Sequence, residues 1–330
     1  MPQVVDTIEE LVAGATHREQ VHPDDGKSGA TFETLRIDGR RRFLKVVAYE
    51  DDWIMRVTGN TDHWEHTVWR AGIYDRLPPS IDHAIVAMAL DTTGPVRRLG
   101  ILMDDCGSHL IPPGDDVVDE DTHHGMIESM AAMHATLWGW TDDIGIASMR
   151  SRLRFFSPET IARELEHSVV PAPIAAADEG WAKLRERATE MASLARSLHA
   201  EPDALLQPLG RTPVTFVSGD WKMGNLGRRP DGRTILLDQA YPGSAPPCWD
   251  LLWYVALNRQ RLPESKDATI ERYRAALVSC GVPTADWWDT QLALTTIGMM
   301  ACFGWEKALG DDDELRWWEA RVLDARPLLD

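Results

Sequence analysis

Val214-Thr215-Phe216-Val217-Ser218-Gly219-Asp220-Trp221-Lys222-Met223-Gly224-Asn225 is followed, after a short polar stretch, by Thr234-Ile235-Leu236-Leu237-Asp238. The two segments place an Asp, an Asn and a second Asp at the ends of two apolar strands. The first strand delivers Asp220 into a loop and Asn225 follows on the same loop. A turn at Pro230-Asp231-Gly232 returns the chain so that Asp238 ends the next strand. Two carboxylates and one amide then converge on one place.

Phosphoryl transfer asks a protein for little covalent chemistry. Its recurring parts are a carboxylate that positions a hydroxyl, oxygen ligands for magnesium, and a cation on the phosphates. Asp220 fits the first part, Asn225 and Asp238 fit the second, and Lys222 lies within reach of the transferring phosphate. A polar hairpin explains any one of these residues, but four at this spacing favour catalysis.

Ser218-Gly219-Asp220-x4-Asn225 and Asp238-Gln239-Ala240 resemble the catalytic loop and metal motif of the aminoglycoside phosphotransferase and choline kinase superfamily, the small-molecule relatives of protein kinases. The resemblance implies an α+β, bilobal protein-kinase-like fold with a small β-rich N-terminal lobe and a larger, mainly helical C-terminal lobe. It makes Asp220 the catalytic Asp and Asn225 and Asp238 the magnesium ligands. Trp249-Asp250-Leu251 resembles the family's Asp-Leu pair, which implies that Asp250 buttresses the catalytic loop through its backbone. Two positions depart from the pattern. Ser218 stands where the family usually has His, and Gln239-Ala240 stand where an aromatic residue followed by Glu or Gly is usual. That His is architectural in the family, so its replacement bears on the rigidity of the loop more than on the chemistry.

The strand signals lie in the first hundred or so residues. Asp38-Gly39 is a two-residue hairpin signal between Thr31–Ile37 and Arg42–Val47. Lys45 is central in the second strand and shares a face with Phe43 and Val47, an unfavourable place for an idle lysine. It reads as the lysine that grips nucleotide phosphates. Asp25-Gly26-Lys27-Ser28-Gly29-Ala30 offers small residues whose N–H groups can approach phosphate, with Ser28 and Gly29 as the candidates. It is not a Walker A loop, because Val21 occupies the position of the required upstream Gly. A helix over residues 61–74, capped by Thr61 or Asp62, carries Glu65 as the expected partner of Lys45. Leu99–Gly107 resembles an interlobe hinge, with Met103 and Asp105 as nucleotide contacts. The expected division is residues 1–105 as the nucleotide lobe, a hinge near 101–107, and residues 108–330 as the catalytic and acceptor lobe.

The remainder reads as helical. Gly125–Trp138 is a core helix on which His134 is expected to be a hydrogen-bonded core residue. The helices between Arg150 and Leu209, with the C-terminal helices, form the acceptor site in the resembling family. Gly310-Asp311-Asp312-Asp313-Glu314 reads as a helix cap more than as an ammonium site. Only eleven residues separate Asp238 from Asp250, too few for the activation segment of a protein kinase.

The net charge of −18, from 34 basic and 52 acidic residues, argues against nonspecific nucleic-acid binding and leaves room for steering of cationic ligands. Four cysteines without CxxC spacing fit reduced thiols and a cytoplasmic setting. No signal peptide is read at the N-terminus, and Leu292–Trp305 is too short to span a bilayer. The expected function is transfer of the γ-phosphate of ATP, with Mg2+, to a hydroxyl of a small molecule such as an aminoglycoside, amino sugar or amino alcohol. A nucleotide-binding pseudokinase without turnover is the alternative that Ser218 and Gln239-Ala240 raise.

Overall fold

The structure, a computed structural model, describes residues 3–21 and 28–329. Asp25, Gly26 and Lys27 of the expected phosphate loop lie outside the described residues. The first part of the chain runs β1 (Gln3–Val5), α1 (Ile8–Leu11), β2 (Thr16–Val21), β3 (Thr31–Ile37), β4 (Arg40–Ala48), α2 (Trp53–Thr58), α3 (Trp64–Arg70), β5 (Ile81–Asp82), β6 (Ile85–Asp91) and β7 (Arg98–Asp104). Then come α4 (Glu120–Thr136), α5 (Met149–Leu153), α6 (Pro158–Leu165), α7 (Ala172–Arg187), α8 (Thr189–Ala200) and α9 (Asp203–Leu209). Four short strands follow, β8 (Thr215–Val217), β9 (Leu226–Arg228), β10 (Thr234–Leu236) and β11 (Gly243–Ala245). The chain closes with α10 (Cys248–Leu257), α11 (Lys266–Ser279), α12 (Trp288–Leu309) and α13 (Asp312–Ala325).

Six strands form one sheet in the order β1-β6-β7-β4-β3-β2. The β3–β4 hairpin turns on Asp38 and Gly39, at φ of 50° and 75°. Two successive left-handed residues match the twist of the flanking strands, which is why Asp-Gly stands there. In this register Lys45 lies opposite Phe32 on one neighbour and Ile101 on the other. Alternation along β4 separates the two faces. Leu44, Leu35, Leu102 and Ala87 pack with Leu11 of α1 in a small core. Lys45 and Val47 face the opposite side.

The helical part is built around α12, whose 22 residues are mostly buried. It packs against α7, α8, α10 and α13. Among the described residues no helix is long and apolar enough to cross a membrane.

Three expectations need correction. The helix carrying Glu65 is shorter than 61–74, and neither Thr61 nor Asp62 caps it. Asn60 Oδ1 instead accepts from Trp64 N at 2.9 Å, and Gly72, at φ 68°, stops the helix. The strand that delivers Asp220, β8, pairs with β11, not with the strand leading to Asp238. The turn at residues 229–233 joins β10 to β9, a strand formed directly after the Ser218–Asn225 loop. Asp238 also lies two residues beyond its strand, at φ 52°, where an Asp tolerates the left-handed conformation.

Candidate active site

A cavity of about 690 Å3 opens between the six-stranded sheet and the loops after β8 and β10. Lys45 reaches it from β4, buried to 8% exposure. Its Nζ lies 2.5 Å from Asp238 Oδ1 and 3.7 Å from Glu65 Oε1. Asp52, which caps α2 by accepting from Met55 N at 2.9 Å, adds a third nearby carboxylate that sequence reading did not single out. Burial by itself would lower the Lys45 pKa, and the charges of Asp238, Glu65 and Asp52 more than reverse it. The ammonium is thus held charged. Burial works against the Asp238 charge too, but Lys45 and Lys222 overcome it and lower its pKa.

Glu65 is the loser in this arrangement. Burial pushes its carboxyl up to about 7 against the pull of Lys45, while Asp238 and Asp52 raise it further. The raised value fixes a sign. Native Glu65 keeps a proton that the unfolded chain releases, so its contribution to stability is full below the ordinary carboxyl range, near pH 4.5, and is lost as pH rises to about 7. We expect the urea midpoint of Glu65→Gln to fall less than that of the parent between these pH values. Parallel curves for the two proteins would refute this.

Ser28 and Gly29 sit at the edge of the cavity, on the chain entering β3. The Ser28 hydroxyl donates to Asp52. A Cβ on Gly29 would fall 1.8 Å from the Asp51 carbonyl oxygen, so only glycine permits this approach. Met103 and Asp105 line the same cavity at the end of β7. The Asp105 carboxylate is largely occupied, accepting from Gly107 N at 3.2 Å and pairing with Arg41 Nε at 2.8 Å.

The catalytic-loop candidates interlock on the other side. Asp220 Oδ2 accepts from Lys222 Nζ at 2.7 Å and from Asn225 Nδ2 at 2.8 Å. Asn225 Nδ2 also donates to the Asp220 carbonyl at 3.1 Å, which leaves the Asn225 amide oxygen as the group to offer a ligand. The Asp238 side chain, 40% exposed, presents its second oxygen to the cavity. One amide oxygen and one carboxylate fit magnesium, which takes few protein ligands and completes its octahedron with phosphate and water. Among the described residues no three His, Cys, Asp or Glu side chains gather as a cage for another metal. Asn225 and Asp238 are therefore the residues that would hold Mg2+.

The loop owes its shape to α10. Asp250 is fully buried, and its two oxygens accept from Ser218 N at 2.8 Å and Gly219 N at 2.9 Å. His134 on α4 reaches the same carboxylate through Nε2 at 3.3 Å, and Tyr273 holds the other ring nitrogen at 2.5 Å. His134 is thus a hydrogen-bonded core residue, as its setting on an apolar helix suggested. Ser218 Oγ is buried without a hydrogen-bond partner among the described residues, so the serine contributes nothing to this network through its hydroxyl. Two further residues, Trp253 of α10 and Asn258 at its C-terminal end, touch the loop and were missed. Trp253 Nε1 donates to Asp220 Oδ1 at 2.9 Å, and Asn258 Oδ1 accepts from Met223 N at 3.0 Å. Trp253 stands three residues after Asp250, on the same helix face, and that spacing was the available signal.

Gly219 makes the approach possible. It lies at φ 77°, and a Cβ there would fall 1.7 Å from the Tyr241 carbonyl oxygen and 2.7 Å from Arg152 Nη1. Gly219→Ala is expected to cost about 3 kcal/mol or more from backbone strain and overpacking together. Equilibrium urea unfolding checks it, and a cost below about 1 kcal/mol would mean that the segment after Asp238 yields easily.

The fold carrying this site is α+β and bilobal, the fold of the small-molecule kinases. No family model matches the sequence, and no curated protein matches it. Among solved structures it is similar to choline kinase LicA from Streptococcus pneumoniae, at 12% identity over 98% of this chain and 95% of that one, with a TM-score of 0.50. LicA in complex with AMP gives a TM-score of 0.53 at the same identity and coverage. The microcompartment-associated aminopropanol kinase is 13% identical over 95% of this chain and 91% of its own, with a TM-score of 0.51. The loop Ser218–Asn225 and Asp238, from which this fold was anticipated, lie beside one cavity within it.

Proposed function

We propose that this chain is a small-molecule kinase that moves the γ-phosphate of ATP, as its magnesium complex, to a hydroxyl of a small acceptor. The observation that carries the reading is one cavity lined by Lys45, Lys222, Asn225 and Asp238, with Asp220 hydrogen-bonded to both Lys222 and Asn225. Residues 1–105 would form the nucleotide lobe, 101–107 the hinge and 108–330 the catalytic and acceptor lobe. The likeness in fold to a choline kinase solved with AMP supports a nucleotide in the cavity.

Each residue has a task in this reading. Lys45, freed from Asp238 by the incoming nucleotide, would grip its phosphates while Glu65 keeps the ammonium in place. Met103 and Asp105 would contact the base through their backbone, and the Ser28-Gly29 backbone would cover the phosphates. Asn225 and Asp238 would hold magnesium, which would offset the negative charge of the phosphates. Asp220 would align the acceptor hydroxyl and take its proton. Lys222 would follow the transferring group.

Cationic acceptors, including aminoglycosides, amino sugars and amino alcohols, suit the net charge of −18. The pseudokinase alternative draws on the Ser218 hydroxyl and Gln239 Oε1, which are buried without hydrogen-bond partners among the described residues. Against it stands the loop itself, held by Asp250 without the family's histidine. The test is magnesium-dependent ADP release across a panel of aminoglycosides, amino sugars, sugars and amino alcohols, with Asp220→Asn in parallel. Acceptor-dependent release that the variant loses supports the kinase. Nucleotide binding with no release from any acceptor would favour the pseudokinase.

A further inference from the structure

We propose that Trp253 is the residue that aims Asp220, and that Oδ1 of Asp220, not Oδ2, receives the acceptor's proton. This deepens the kinase reading and rests on it.

Counting lone pairs leads to the atom. A carboxylate oxygen accepts about two hydrogen bonds. Oδ2 already accepts two, from Lys222 and Asn225. Among the described residues Oδ1 accepts one, from the Trp253 indole at 2.9 Å. The remaining position on Oδ1 is where an incoming hydroxyl can donate. As the acceptor oxygen bonds to the γ-phosphorus, the bond from that phosphorus to the β,γ-bridging oxygen breaks and ADP departs with the electron pair. The hydroxyl proton passes to Oδ1 and from there to solvent.

Trp253 is built to fix that oxygen. It is 4% exposed, with the Phe303 ring against it edge-on at 4.8 Å and Phe155 stacked at 6.2 Å. The indole therefore has no freedom to follow a wandering carboxylate. On the same helix Asp250 holds the backbone just before Asp220, and Asn258, the residue that ends this helix, holds it just after. One rigid element thus sets both the backbone and the side chain of the base, and rigid support of this kind preserves reactive geometry.

The experiment uses the full chain. Trp253→Phe keeps an aromatic ring and removes the donor, so kcat should fall about 10- to 100-fold with nucleotide KM unchanged. Trp253→His, which restores a ring N–H, should recover part of the loss. Unchanged kcat in Trp253→Phe would overturn the proposal, and so would losses that follow stability alone with no recovery by His. A second readout needs no turnover. The Trp253 indole N–H resonance, identified by its absence in Trp253→Phe, should lie at low field and move in Asp220→Asn. Turnover with a resonance indifferent to Asp220 overturns the role of Trp253 alone. A responsive resonance with no turnover from any acceptor instead overturns the kinase reading, and the catalytic part of this proposal with it.

Discussion

Asp220→Asn is expected to lower acceptor phosphorylation by about a thousandfold, within the range that removing a positioned general base produces, while nucleotide affinity holds. The reason lies in what the site loses and keeps. Asn retains an oxygen for Trp253, so the side chain stays tethered to α10. Its amide nitrogen, however, turns two hydrogens toward Lys222 Nζ and the Asn225 amide, both of which donate to Oδ2 in the parent protein. The variant therefore loses the proton acceptor and sets donor against donor. Lys45, Glu65 and Asp238 are untouched, so nucleotide titration should return nearly the parental affinity. A variant that keeps more than about a tenth of the parental rate would remove Asp220 from the role of base.

Asp250→Ala is expected to cost about 4 kcal/mol, from two buried backbone N–H groups left without an acceptor and a buried imidazole deprived of one of its two partners. No water-exposed route offers replacement, because Asp250, Ser218 and His134 are all fully buried. Asp250→Asn should fall between the parent and alanine. It keeps one accepting oxygen and presents an N–H2 group to the second backbone donor. Urea unfolding of the three proteins tests this order. Equal stability of Asn and Ala would mean that the loop relaxes once either bond is lost. The magnitude also bears on Ser218. With the Ser218 hydroxyl unused, the loop is held through Asp250, which His134 from α4 in turn contacts.

The sequence made some of this visible because the determining physics is local. Asp38-Gly39 demands two left-handed residues, and the hairpin forms in that register. The Ser218–Asn225 loop was legible as a spacing, and Asp250 through the resemblance of Trp249-Asp250-Leu251 to the family's Asp-Leu pair. Lys45 was exposed as an anomaly by alternation alone, and the sheet places it where a lone buried ammonium finds three carboxylates. What stayed hidden depends on distant chain. Nothing near Val217 says that β8 will pair with Gly243–Ala245, and nothing near Asp52 says that it will face Lys45. The helix bearing Glu65 was overdrawn because its apolar spacing continues past Gly72, while the backbone stop at that glycine ends it. Trp253 was hidden in another way. Among 14 tryptophans most serve packing, and only the position of Asp220 reveals that Trp253 donates to its carboxylate.

The two-residue strand β5 has a consequence for anyone who would cut this protein in two. Ile81 and Asp82 pair in parallel with Thr234 and Ile235, Ser80 O accepts from Thr234 N at 2.8 Å, and Asp82 binds Arg229 Nε at 2.7 Å. A truncated chain starting at residue 108 would expose that edge of β10, two residues before Asp238. The helical portion expressed alone should consequently lose order first around Asp238, the side chain that Lys45 would otherwise hold. Cavity and catalytic loop are completed only when early and late sequence fold together.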